Sequence, residues 1–204
     1  MVHDARAEAR RLREENLALK AVADAALHDA VRAHNEIARE ELLARVMVAV
    51  RVYNDRAREE LLARVIAQDA RAFELLVADI LRAEGLHDVV VTQQTRDGGI
   101  DVRGVRRDPQ GVLLHKIAVQ VKRYSSSPIG PRDIQALRGA LRPDEIGMFV
   151  TTSRFTQNSK REAEREGVQN IDLVDGHDLV ELLVRHKLGV EERTLKLIRV
   201  PSSP

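Results

Sequence analysis

From Asp4 to Ala70 the chain contains neither Pro nor Gly. In a helix interior Pro costs about 3 kcal/mol and Gly about 1 kcal/mol relative to Ala, so these are the residues that most readily interrupt a helix. Their absence over so long a stretch, with Ala, Leu, Arg and Glu dominating, commits the segment to helix. Leu12, Asn16, Leu19, Ala23, Ala26, Ala30, Ala33 and Ile37 recur at alternating spacings of four and three, the a/d seam of a coiled coil. Asn16 falls on an a position, where a buried Asn favours a parallel dimer. Ala fills most of the seam, so a monomeric helical hairpin explains the pattern almost as well. Ala38–Val46 and Ala57–Val65 both read AREELLARV, a local duplication of one helical segment, with Tyr53, Asn54 and Asp55 in the linker between the copies. Two copies are too few for a solenoid.

The character changes near residue 70, and the expected division is a helical region over 1–70, an α/β domain over 71–200 and a flexible tail over 201–204. Phe73, Leu76, Val77, Ile80 and Leu81 share one face of a helix predicted from Asp69 to Glu84, with Gly85 as its stop. Three strands follow as a meander: His87–Thr92, Ile100–Val105 and, after an Asp108-Pro-Gln-Gly111 turn, Val112–Tyr124. Helix is expected over Pro131–Leu141, strand over Gly147–Thr151, helix over Thr156–Glu166, a short strand over Asn170–Val174 and a last helix over Asp178–His186.

Composition narrows the function classes. Trp is absent and Phe and Tyr are few, so Leu, Val, Ile and Ala must build the core. There is no Cys, which removes disulfides, thiolate zinc sites and cysteine nucleophiles together. None of the seven His, His28, His34 and His115 among them, has metal-cluster spacing. Net charge is +1, so global charge gives no support to nucleic-acid binding and any electropositive surface must be local. The charged N-terminus lacks the apolar core of a secretory signal, and no apolar run is long enough to span a membrane. The expectation is a soluble, cytoplasmic protein with no membrane partner.

The residues that carry chemistry are Asp97-Gly98-Gly99-Ile100-Asp101 and Gln120-Val121-Lys122. Asp101 is expected early on the second strand. Gln120 and Lys122 stand two apart on the third and share a face, while Val119 and Val121 face the packing. If the strands pair, Asp101, Gln120 and Lys122 converge, and Gly98 and Gly99 form the structural turn that permits a tight approach. Asp97 reads as a turn residue rather than a ligand. Such a set suits phosphodiester cleavage, which draws on a divalent cation for charge stabilisation and water activation. Mg²⁺ prefers oxygen ligands and keeps several waters. Asp101 offers a carboxylate, Gln120 an amide oxygen and Val121 a carbonyl. Lys122 would orient or help deprotonate water and offset phosphate charge.

Asp…Gln-x-Lys across adjacent strands resembles the PD-(D/E)XK nuclease superfamily in its Gln variant, and specifically the Mrr-type restriction endonuclease catalytic domain. The resemblance is carried, in the family's order, by Phe73-Glu-Leu-Leu76, Asp97-Gly-Gly-Ile-Asp101, Gln120-Val-Lys-Arg-Tyr124, Phe149-Val-Thr-Thr-Ser153 with Phe155-Thr156, and Ile171-Asp-Leu-Val-Asp-Gly176. It spans about Phe73 to Val200. It implies an α/β fold with a restriction-endonuclease-like core, a mixed central sheet flanked by helices. It also implies Mg²⁺-dependent endonuclease cleavage of double-stranded DNA, often modified foreign DNA, with Mn²⁺ as an alternative ion. Asp101, Gln120 and Lys122 carry over as catalytic. Glu74 matches a helix acid that joins Asp101 and Gln120 at the metal. Where the best-known architecture places a winged-helix DNA-binding domain, Asp4–Ala70 has long helices instead.

Candidate DNA contacts are Arg123 and Tyr124, as phosphate and sugar partners or as a solvated strand end, and Gln135, which the resemblance turns toward the active site. Thr152 and Ser153 suit a cleft at the sheet's carboxyl edge, or an N-cap for the next helix. Arg103, Arg106 and Arg107 read as a solvated hairpin tip. Three functions remain in play: a restriction or defence endonuclease, a nuclease-fold DNA-binding or assembly module weakened by Gln120, and a structure-specific repair nuclease. A two-cut nuclease gains from pairing its sites, so homo-oligomerisation through the N-terminal helices is expected.

Overall fold

The computed structural model describes residues 2–92, 99–124 and 127–194. Asp97, Gly98, Ser125, Ser126 and the tail expected at 201–204 lie outside the described residues. The chain divides into two compact units, Met1–Arg56 and Ala57–Pro204.

The first unit is helix, part of α1 (Val2–Ala67). No hairpin turn interrupts it, and the linker expected at Tyr53, Asn54 and Asp55 is itself helical. The physical reason is one of magnitude. Ordinary residues such as Asn and Asp cost at most about 0.7 kcal/mol each in a helix, and no Gly or Pro stands beside them. The long runs of helix formers on either side outweigh that cost. Leu19, Val22, Leu27, Val31 and Ile37 are exposed on this unit.

The second unit begins within α1, because Leu61 and Val65 already pack against the core. The division expected near residue 70 coincides instead with the joint between α1 and α2 (Ala70–Ala83). There Asp69 caps α2, its carboxylate accepting from the Ala72 amide at 2.7 Å. The apolar face of α2 buries Phe73, Val77, Ile80 and Leu81. Five strands form one mixed sheet in chain order: β1 (His87–Val91), β2 (Val102–Arg107), β3 (Leu113–Lys122), β4 (Glu145–Thr151) and β5 (Ile171–Val174). β1, β2 and β3 are antiparallel; β3, β4 and β5 are parallel. Parallel pairing needs crossovers, and α3 (Pro131–Ala140) and α4 (Gln157–Ala163) supply the two helical connections. α5 (Gly176–Arg185) follows β5.

The two faces of the sheet carry separate cores. Val102, Ile117, Val119 and Val150 meet α2 and α5 through Phe73, Val77, Leu179 and Leu183. Ala118 and Phe149 meet α3 through Ile134 and Leu137. The alternation along β3 therefore points Ile117 and Val119 one way and Ala118 and Gln120 the other.

Three local expectations need correction. Arg103 does not belong to a solvated hairpin tip: its Nε donates to Glu145 Oε1 at 2.9 Å, and Glu145 is only 2% exposed. A carboxylate that deep requires a charged partner, and Arg103 on β2 supplies it to Glu145 at the start of β4. The N-cap of α4 is Thr156, whose hydroxyl accepts from Ser159 N at 3.1 Å, rather than Thr152 or Ser153. Asp101 sits one residue before β2 rather than on it. Among the described residues no helix is long and apolar enough to cross a membrane.

Candidate active site

The β2–β3 ladder ends with Val102 opposite Val119. One step further, Asp101 N still donates to Val119 O at 2.9 Å. Thr92 holds the chain from the other side, its amide donating to Asp101 O at 2.9 Å and its hydroxyl to Ile100 O at 2.6 Å. β3 outruns β2, which leaves the Val121 amide without a strand partner. The Asp101 side chain takes that place, Oδ2 accepting from Val121 N at 2.7 Å. The carboxylate is thereby fixed across the end of the ladder, beside Gln120.

Burial pushes the Asp101 carboxyl up from its ordinary 3.8 to about 6. The Val121 amide pulls it down, the nearby Glu74 charge raises it further, and Lys122 lowers it. Glu74 comes from α2, is 6% exposed, and accepts from Arg71 Nη1 at 3.0 Å through Oε2. Arg71 also donates to Thr92 O, so it ties this helix to the segment that holds Asp101.

Gln120 is 7% exposed, and its Oε1 is buried with no hydrogen-bond partner. An unpaired buried acceptor costs about 1–3 kcal/mol, so it marks a place where something else is meant to bind. Its amide nitrogen lies over Gly99, which has φ +89°; a Cβ at that position would stand 2.5 Å from Nε2. Gly99 thus meets two demands at once, a left-handed backbone and an amide pressed against it. Gly99→Ala is expected to cost only about 1–2 kcal/mol, because the clashing atom ends a side chain that can turn. Turning it moves the orphaned oxygen. Cleavage should therefore fall by at least tenfold while a thermal melt shifts by a few degrees. A melt that collapses together with activity would contradict this reading.

Lys122 lies on the same side of β3 as Gln120. Its Nζ donates to Asp133 Oδ1 at 2.6 Å and stands 5.9 Å from the centroid of the Phe149 ring. Two carboxylates and an amide oxygen, one of them an unsatisfied acceptor, fit a hard divalent cation that keeps part of its water shell. Among the described residues no three His, Cys, Asp or Glu form a ready-made metal cluster.

The remaining sequence candidates fall around this centre with varied contacts. Arg123 follows Lys122, and its Nη1 donates to Ile66 O at 2.7 Å, at the end of α1. Tyr124 is 38% exposed. Thr152 is buried and its hydroxyl bridges the Tyr124 backbone, accepting from its N at 3.0 Å and donating to its O at 2.9 Å. Ser153 Oγ donates to Ser127 O at 2.8 Å. Gln135, on the exposed side of α3, donates to Glu162 Oε2 at 3.2 Å. Asp133 and Arg71 were not singled out by sequence. Asp133 reads there as an ordinary acid in a helix's first turn, and nothing local signals its pairing with a lysine across the intervening loop.

A family model described as a restriction endonuclease, Mrr_cat, matches residues 65–183. The chain belongs to this family. All of the Mrr-type residues named above, Glu74, Asp101, Gln120 and Lys122, fall inside the match. The chain is also similar to the type IV methyl-directed restriction enzyme EcoKMrr of Escherichia coli (strain K12), 37% identical over 131 residues, or 61% of this chain and 41% of that enzyme. It thus spans about two fifths of the curated relative's length. Two solved structures share the fold. They are the DNA modification-dependent restriction endonuclease AspBHI (TM-score 0.54, 24% identity, 66% of this chain and 36% of that one) and the MspJI restriction endonuclease in complex with a 27-mer oligonucleotide (TM-score 0.50, 21% identity, 63% and 30%).

Proposed function

We propose that this Mrr-type chain is a Mg²⁺-dependent DNA endonuclease that hydrolyses phosphodiester bonds in foreign or modified DNA. The observation that carries the proposal is the orphaned Gln120 Oε1 beside a half-buried Asp101 carboxylate, with Lys122 on the same strand face. Asp101, Gln120 and Glu74 would hold the ion, with Mn²⁺ as an alternative. When bound, a divalent cation supplies Lewis acidity toward the scissile phosphate and toward water. Lys122 sets a positive charge against the phosphate and orients the attacking water through its Nζ protons. Arg123, Tyr124, Gln135 and Ser153 are proposed to line the DNA path, and Thr152 to act by fixing the Tyr124 backbone. The methyl-directed action in the name of the Escherichia coli relative supports methylated DNA as the substrate. For such a substrate the cytoplasm is the proposed place of action.

The test is incubation of methylated and unmethylated plasmid with Mg²⁺ or Mn²⁺. Wild type should nick or linearise the DNA, and Lys122→Ala should lose at least a thousandfold in rate. Equal cleavage by the two proteins would sink the proposal. Gln120 in place of an acid removes one charge from the metal site and favours a second reading, a DNA-binding module without turnover. Calorimetric titration separates the two: Mn²⁺ binding lost in Asp101→Ala argues against a dead site.

The exposed apolar residues of α1 support pairing with a second copy. In a parallel, in-register dimer the flanking positions would set Glu15 of one helix against Lys20 of the other, Val22 against Leu27 and Asp29 against His34. The first of these contacts matches in charge and the second in hydrophobicity. Full-length protein is expected to sediment as a dimer, and Leu19→Glu with Ile37→Glu should shift it to monomer. A monomeric wild type would end the idea.

A further inference from the structure

The Lys122 ammonium is seated from two sides. The Phe149 ring lies 5.9 Å away, and Asp133 Oδ1 accepts from Nζ at 2.6 Å. Asp133 is held from behind, since its other oxygen accepts from the Gly130 amide at 3.2 Å and closes the first turn of α3. The Asp133 backbone joins in, its N donating to Gly130 O at 3.1 Å. Both partners of the ion pair keep 29% exposure, so the seat is open on one side. A lysine on a flexible four-carbon stem loses considerable rotamer freedom when it must work in one place. A carboxylate anchored to a helix terminus absorbs that loss before substrate arrives.

We propose that Asp133 is a positioning residue for Lys122, holding its ammonium at the scissile phosphate rather than free over the sheet's edge. The inference rests on the proposed cleavage reaction. Asp133 acts through the lysine and does not touch the reacting atoms. An anion beside a DNA path opposes DNA binding, so neutralising it would by electrostatics alone leave affinity equal or tighter. A fall in turnover on neutralisation with the helix cap kept therefore points to the lysine.

The structure suggests a pair of variants that separates charge from helix capping. Asp133 occupies the third position of α3, where Glu and Gln both reach back to the N-cap amide. Asp133→Glu keeps cap and charge; Asp133→Gln keeps only the cap. Asp133→Gln is expected to lower kcat 10- to 100-fold with KM for DNA unchanged or lower, and Asp133→Glu to stay within about fivefold of wild type. Both should melt within a few degrees of wild type. The metal-free protein gives a second readout from the Lys122 ε-methylene signal, assigned by its loss in Lys122→Ala. Its two protons should be inequivalent in wild type and Asp133→Glu, and averaged in Asp133→Gln.

Turnover equal to wild type in Asp133→Gln would overturn the proposal. So would equal losses in both variants with lowered melting temperatures, which assign a capping role only, or a rise in turnover, which would mean that Asp133 restrains the lysine. If wild type itself does not cleave while the inequivalent signal is present, the endonuclease reading fails and the seating of Lys122 stands.

Discussion

Asp101→Asn is expected to abolish cleavage and, at pH 8, to make the metal-free protein more stable than wild type. The two effects share one cause. Folding buries a carboxylate whose pKa rises to about 6, so the native state prefers the neutral form. The favourable contribution of this group is complete below the ordinary pKa near 3.8 and is lost as pH rises through about 6. Above that range wild type carries a desolvated charge that Asn does not. A shift of this size, discounted because the group is only half buried, amounts to roughly 1–2 kcal/mol. An asparagine oxygen can still accept from the Val121 amide, so the ladder end survives. Melting curves should therefore separate by a few degrees at pH 8 and coincide at pH 4. Mg²⁺ should reverse the order, raising wild type alone through binding to the native state, and a chelator should restore it. A variant less stable than wild type at pH 8 without metal would refute the account.

Gly176→Ala should produce the largest loss of stability among Gly→Ala changes at the described glycines. Gly176 is the first residue of α5, where Ala has an intrinsic advantage of about 1 kcal/mol. Against that, the added Cβ would stand 2.5 Å from Thr152 O and 3.1 Å from Thr152 C. Those are backbone atoms of a buried strand end, which cannot turn aside as a side chain can. Gly176 N also donates to Ser153 O at 2.8 Å, which pins the helix against the same segment. Overpacking of this kind costs about 2–3 kcal/mol and should win, lowering the melting temperature by roughly 5–10 °C. Thr152 carries the Tyr124 backbone, so the strand exit beyond Lys122 would shift too and cleavage should fall with stability. Gly139→Ala is the control: it has open space and lies within α3, so it should be neutral or stabilising. Similar melts for the two substitutions would show that α5 can retreat.

Periodicity carried much of the α/β half into view. Alternating β-branched residues and one-sided helices located five strands and four helices to within a few residues, because burial on one face leaves a regular trace. The convergence of Asp101, Gln120 and Lys122 was readable for the same reason, since strand spacing sets which side chains share a face. What was not readable depends on distant partners. Arg103 looks solvated until Glu145 comes beside it. Asp133 looks like a helix-terminus acid until α3 brings it against Lys122. Gly176 stands out in sequence as the end of a short block, yet its reason, the backbone of Thr152, lies just past the end of β4. The Tyr53-Asn54-Asp55 linker between the two repeat copies is helical as well, because the flanking helix outweighs the small cost of Asn and Asp.

The change from antiparallel to parallel pairing at β3 has a kinetic consequence. Asp101 and Gln120 belong to a local meander with short loops, whereas β4 reaches β3 only through a helical crossover. Closing longer loops costs more chain entropy, and parallel pairings form late. The carboxylate and amide of the centre should thus assemble before Phe149 and Asp133 enclose the lysine. During refolding, pulse-labelled amides of Val102–Val119 should gain protection ahead of Gly147–Thr151, so that the site matures in two stages with its ammonium group placed last.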